Sequence, residues 1–222
     1  MSEFSLKFTK FFNVNSPIGI DQNEKEKDCE YHSVGVDLYF PKPTRGFLNA
    51  ILKRNPFLVP VHVLYNYDSS RGASDDDIIS SLTLVKTGGN TVLEFNSEKN
   101  TYEIFENITI PTGVAVLIPK GYHINNRSKS GNFNNGYTSI EGLIDENYTY
   151  DMGVQIHPFN KLIAFQVDEK FCQLELLKSN HIKSFEEVKL TDWENHPEVI
   201  SRRVNRKGGF GHTGKFDKQI SQ

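Results

Sequence analysis

The residues able to do chemistry in this 222-residue chain fall in five short stretches. In VGVDLYF (34–40), Asp37 is a carboxylate among apolar neighbours. Buried, it needs a partner or a metal, although a strand-end aspartate also caps turns. In NNRSKSG (125–131), Arg127, Ser128, Lys129 and Ser130 enter a Gly/Asn-rich bend. Guanidinium, hydroxyls and backbone N–H groups converging there would bind an anion, and a basic surface loop would look the same. EGLIDENYTYDMGVQI (141–156) reads as a hairpin in which Asp145 could orient a water and Tyr148 could stack on a sugar. An ordinary Asx-turn opens hairpins in the same way. KFCQLEL (170–176) carries one amide, Gln173, of the kind that usually faces solvent. RKGGFGHTGK (206–215) has four glycines in seven residues, which let backbone N–H groups approach a phosphate closely. It lacks the spacing of a P-loop, and no helical pattern follows it.

The elements that must hold these residues are strands. SVGVDLYF (33–40), FLVPVHVLYNY (57–67), SLTLVKT (81–87), ITIPTGVAVLIP (108–119), MGVQIHPF (152–159), KLIAFQV (161–167) and FCQLELL (171–177) are rich in β-branched and aromatic residues. Pro, Gly and Asn separate them. Helical spacing is confined to TRGFLNAILKR (44–54) and DDDIISSLT (75–83). The pattern predicts an all-β sandwich or barrel. Residues 44–107 read as an insertion, with a Gly-Gly turn in KTGGNTV, alternating segments for a hairpin or two, and no site pattern. Asp75-Asp76-Asp77 lacks the spaced oxygen ligands of a calcium loop and reads as solvated loop.

Length favours one domain, over 1–205, followed by a mobile C-terminal arm over 206–222. A net charge of −3 argues against a nucleic-acid partner. Cys29 and Cys172 form neither a disulfide framework nor a metal motif. With no signal-like leader and no run of about 18 apolar residues, the expectation is a cytoplasmic chain without a membrane partner.

Taken together and in order, VGVDLYF, NNRSKSG, GLIDENY, KFCQLEL and GGFGHTGK resemble the five motifs of the trimeric all-β dUTP pyrophosphatase family. IPTGVAVLIPKGY resembles that family's approach to its second motif. The likeness covers most of 31–43 and 108–215. It implies a β jelly roll (β-clip) that forms a homotrimer, with active sites at subunit contacts, each closed by another subunit's arm. It implies hydrolysis of dUTP to dUMP and pyrophosphate, with Asp145 activating the water that attacks the α-phosphate. Tyr148 would pack beneath the deoxyribose and crowd out a 2′-hydroxyl. The hairpin backbone from Gly142 to Gly153, including Ile144, would read the uracil edge. Arg127, Ser128, Lys129 and Gln173 would serve the phosphates. Asp37 would reach a magnesium ion, Mg2+, through water, the metal itself riding on the triphosphate. Phe210 would stack on the base, with Arg206, Gly211, His212 and Thr213 along the phosphates.

The chain departs from the family pattern at Lys129, within RSKSG, and at Arg206, displaced by one residue so that Arg203 competes for its role. Glu141 brings an unusual charge beside the expected base pocket, and Tyr150 stands where a small residue is common. The last two keep open another deoxynucleoside triphosphate as substrate. Related phage-encoded proteins with insertions suggest an alternative, a nucleotide-gated binding protein engaging a regulatory partner through 44–107, in which case the chain would work in the host cytoplasm. A dCTP deaminase would need a proton-shuttling glutamate ten positions beyond Asp145. The chain has Gln155 there, and an amide cannot take up and return the proton.

Overall fold

Alternating apolar residues become strands in nearly every run where the sequence predicts them. The computed structural model describes residues 6–16, 18–19, 35–66, 77–180 and 188–205. Contacts divide the chain into two units, Met1–Asn180 and His181–Gln222.

In chain order the first unit holds β1 (Lys7–Lys10), β2 (Ile18–Gly19), β3 (Val36–Tyr39), α1 (Arg45–Arg54), β4 (Leu58–Tyr65) and β5 (Ile79–Lys86). Then come β6 (Thr91–Asn96), β7 (Thr101–Ile104), β8 (Ile108–Pro111), β9 (Val114–Leu117) and β10 (Tyr122–Ser128). The unit ends with β11 (Tyr137–Ile140), β12 (Gly142–Ile144), β13 (Gly153–Pro158), β14 (Ile163–Gln166) and β15 (Lys170–Lys178). Apart from α1 the first unit is built of strands, in keeping with the all-β class expected. One sheet runs β12-β10-β15-β3-β2, a second β11-β13-β8, a third β14-β7-β6-β5-β4, and β1 pairs with β9.

The insertion is part of this core rather than an appendage. Thr44 caps α1 by accepting a hydrogen bond from the Phe47 backbone N–H at 3.2 Å, and Lys53 and Arg54 in the last turn suit the helix dipole. The helix buries Phe47, Leu48 and Ile51. β7, also inside the insertion, pairs with β14, which lies far beyond it. Phe40 stacks on Phe165 at 4.6 Å and meets Tyr102 at 4.9 Å, while Phe47 and Phe95 reach the same tyrosine at 5.5 and 4.8 Å. Insertion and motif-bearing strands thus share one aromatic cluster, each ring contributing roughly 1.5–3 kcal/mol by burial.

Three expectations change. The helix read at 75–83 is strand, because Leu82 and Leu84 are buried at period two and β5 is paired on both sides, to β4 and β6. Asp77 forms an ion pair with Arg45 at 3.3 Å, and Asp75 and Asp76 lie outside the described residues. The second unit carries two helices that the sequence reading missed, α2 (Leu190–Glu194) and α3 (Pro197–Asn205). Both are too short to print a clear apolar period, though Pro197 is a good first helical residue. The arm, with Arg206, Phe210, Gly211, His212 and Thr213, lies outside the described residues, as does Cys29.

Candidate active site

Register across the first sheet builds one half of the site. Arg127 on β10 stands opposite Gln173 on β15, and Gln173 stands opposite Asp37 on β3. Directly opposed residues share a face, so three of the five motifs deliver their polar side chains into a single row. Asp37 is only 2% exposed. Its Oδ1 accepts from Lys129 Nζ at 2.7 Å and from Gln173 Nε2 at 3.2 Å, and its Oδ2 meets Lys170 Nζ at 2.9 Å. Burial pushes the carboxyl upward, but the hydrogen bonds from Lys129 and Lys170, with the Lys129 charge and Gln173, hold it below its usual value.

Asp37 is already held by cations of the chain itself. Two ammonium groups already neutralise the carboxylate, and among the described residues no group of three or more His, Cys, Asp or Glu side chains could hold an ion. A water-mediated contact from Asp37, as expected from the sequence, would use the acceptor capacity that Lys129, Gln173 and Lys170 leave on its two oxygens. Lys129, the extra side chain in the second motif, and Lys170, unnoticed in the sequence, become the row's cations.

Arg127 donates to Glu175 Oε2 at 2.8 Å and to Glu141 Oε1 at 2.9 Å. β12 runs antiparallel to β10 with Gly142 opposite Asn126, which puts Glu141 beside Arg127. The charge that the sequence set next to a base pocket thus belongs to the arginine. Ser128 is also occupied. Its oxygen accepts from the Ser139 backbone N–H at 2.8 Å and lies 3.0 Å from Thr138 Oγ1, tying β10 to β11.

The other half of the site is the bend after β12. The expected hairpin does not close on itself: β12 pairs with β10 in the first sheet, whereas β13 pairs with β11 and β8 in the second. β12 is therefore an edge strand, and half of the backbone N–H and C=O groups of Gly142, Leu143 and Ile144 point away from its partner. Asp145 follows at once, exposed, its carbonyl accepting from the Tyr148 N–H at 3.0 Å. The Tyr148 hydroxyl donates to the Asp151 carbonyl at 2.7 Å. Tyr150 meets the Tyr148 ring edge-on at 5.9 Å and is 70% exposed.

Both tyrosines line a cavity of about 670 Å³ with Phe11, Phe12, Arg54 and Asp151. Asp151 is pushed above the usual carboxylate value by burial, against the pull of Arg54. Neither Arg54 nor Asp151 was a candidate from sequence, because nothing local marks a pair 97 residues apart. The structure thus joins Asp37, Lys129 and Gln173 directly, sets Arg127 beside them, and presents Asp145 and Tyr148 on a separate bend.

No family model matches the sequence. Two relatives do. The deoxyuridine 5′-triphosphate nucleotidohydrolase of Finegoldia magna is 30% identical over 134 residues, 59% of this chain and 87% of that protein. The enzyme of the same name from Fusobacterium nucleatum is 33% identical over 122 residues, 53% of this chain and 77% of its own length. Among solved structures, a mutant dUTPase from the Staphylococcus aureus phage phi11, described with a coordinated structural Mg(II) ion, superposes with a TM-score of 0.45 at 15% identity. That superposition covers 84% of this chain and 99% of the phage protein.

Proposed function

From the premise that this chain belongs to the deoxyuridine 5′-triphosphate nucleotidohydrolase family, we propose that it hydrolyses dUTP to dUMP and pyrophosphate with Asp145 as the base. The observation that carries the reading is the pairing of an exposed Asp145 with Tyr148 on one bend, directly after an open β edge at Gly142–Ile144. An open edge offers backbone donors and acceptors to a uracil, and Tyr148 offers an apolar face to a sugar without a 2′-hydroxyl.

In this mechanism Asp145 accepts a hydrogen bond from a water and takes its proton as the oxygen attacks the α-phosphorus. The bond from that phosphorus to the α,β-bridging oxygen breaks in line, and pyrophosphate leaves. Arg127, Lys129 and Lys170 face the negative charge, with Gln173 aligning the row. Positioning and fixed charge supply the rate enhancement. The substrate is dUTP carrying magnesium on its phosphates, so no protein step passes through a bound metal.

The family reading adds a homotrimer in which neighbouring subunits complete each site, with the arm residues Arg206, Phe210, Gly211, His212 and Thr213 closing over the nucleotide. Gln155 on β13 is an amide, which disfavours deamination. The test is incubation with each deoxynucleoside triphosphate and magnesium, following pyrophosphate and ammonia separately. Pyrophosphate from dUTP alone is expected. Ammonia from dCTP, or preference for another base, would overturn the assignment.

A further inference from the structure

Arg54 of the insertion makes several hydrogen bonds to the bend, and its neighbour Asn55 sets its place. Asn55, 1% exposed, locks the end of α1 in place. Its amide donates to the carbonyls of Ile51 and Thr109, each at 2.8 Å, and its oxygen accepts from the Thr109 N–H at 2.9 Å. Thr109 lies on β8, opposite Gln155 of β13, so the helix end is fixed against the strand that leaves the bend.

From there Arg54 reaches across. Its Nε lies 3.3 Å from Asp151 Oδ2, and one terminal nitrogen donates both to the Asp151 carbonyl and, at 3.3 Å, to the Tyr148 hydroxyl. The Tyr148 hydroxyl in turn donates to that same carbonyl. Thr112 Oγ1 donates to Asp151 Oδ1 at 3.2 Å from the other side. Gly153 makes room for the guanidinium: a Cβ there would stand 2.7 Å from Arg54 Nη1 and 2.9 Å from Thr109 Cγ2.

We propose that Arg54 is a positioning residue that fixes the ring of Tyr148 and thereby sets the preference for deoxyribose over ribose. A phenol held as both donor and acceptor cannot swing about its stem, and displacement of about 1 Å is enough to change what a site admits. Arg54 touches no reacting atom and acts only through the tyrosine. The inference rests on the role given to Tyr148 above.

The test compares kcat and KM for dUTP and UTP in wild type, Arg54→Ala, Arg54→Lys, Tyr148→Phe and the double variant Arg54→Ala/Tyr148→Phe, with thermal unfolding measured alongside. Arg54→Ala is expected to lower the dUTP-to-UTP ratio of kcat/KM about tenfold. Lysine keeps the charge and loses the fork, so it should fall between, and it remains informative if the alanine variant does not fold. Arg54→Ala should lower the ratio little further in the Tyr148→Phe background, since both act on one contact. An unchanged ratio, even with reduced turnover, would make Arg54 merely structural and sink the proposal. If wild-type protein released no pyrophosphate, the functional reading would have failed on its own. Amide exchange then decides Arg54: unaltered protection over 145–153 in Arg54→Ala would overturn its positioning role too.

Discussion

On the proposed reading Arg127 would meet an incoming triphosphate with its guanidinium already shared between Glu175 and Glu141, so the phosphates would compete with two carboxylates. Glu141 is the more exposed of the two, its side chain 55% accessible, and an ion pair so open to solvent holds the arginine only weakly. Glu141→Gln is therefore expected to lower KM for dUTP by about twofold to fivefold with little change in kcat, as steady-state kinetics would show; a raised KM would mean Glu141 orients the arginine rather than occupying it. Asp37 is the opposite case, deeply buried and essential to its partners. Asp37→Asn leaves Lys129 and Lys170 without their counter-charge and should cost about 1–3 kcal/mol in denaturant unfolding at pH 7. Its folded pKa is depressed, so its contribution is complete above the unfolded value and lost as pH falls below about 4 through the folded one. The wild-type stability curve should drop through that window and the variant's should be flatter there. Asp145→Asn belongs at this scale as well: turnover should fall by a factor of about 10² or more while calorimetry still shows nucleotide binding, because an amide can hold the water and cannot take its proton.

The strands around these residues do more than display them, since the same aromatic cluster ties β3, β14 and β15 to the insertion's α1, β6 and β7. Removing 68–100 would strip β5 and β6 from the core and expose Ile104, Tyr102 and Phe165, so loss of cooperative unfolding and of the folded oligomer is expected from calorimetry. A stable, active deletion would return the insertion to the status of a separate docking module. Tyr102 gives a subtler check. It is fully buried, and its hydroxyl has no hydrogen-bond partner among the described residues, so Tyr102→Phe should be neutral or stabilising by about 1 kcal/mol. A clear loss of stability would show that the hydroxyl is satisfied. These elements also show what a sequence displays. β-branched alternation announced most strands, and apolar residues at helical spacing in 44–54 announced α1, because those signals are local. At 75–83 two periods overlapped, and pairing on both sides decided for strand. Asp37, Arg127 and Gln173 were legible through their motifs, but Glu141 on Arg127 required the β10–β12 register. Lys170 and Arg54 emerged only once distant segments packed together.

At the scale of the whole molecule the proposed reading distributes the work along the chain: phosphate contacts from β10, β15 and β3, nucleoside contacts from the bend after β12, and closure by the motif in 206–215. If neighbouring subunits complete the site, the protein should sediment at about three times its 25.3 kDa chain mass. Two inactive proteins should also rescue each other. Asp145→Asn retains an intact arm, and a variant lacking 205–222 retains Asp145. Denatured, mixed and refolded together, they should form heterotrimers in which an intact arm from one chain closes over a functional Asp145 of another. Pyrophosphate release should then reappear at a fraction of the wild-type rate and vary with the mixing ratio, since only some arrangements of three chains join the two working parts. Were each arm to close over its own chain's Asp145, every heterotrimer would contain only defective sites, and no mixing ratio would restore turnover. The ratio dependence therefore separates an arm shared between subunits from one that acts within its own, without any structure of the arm being needed.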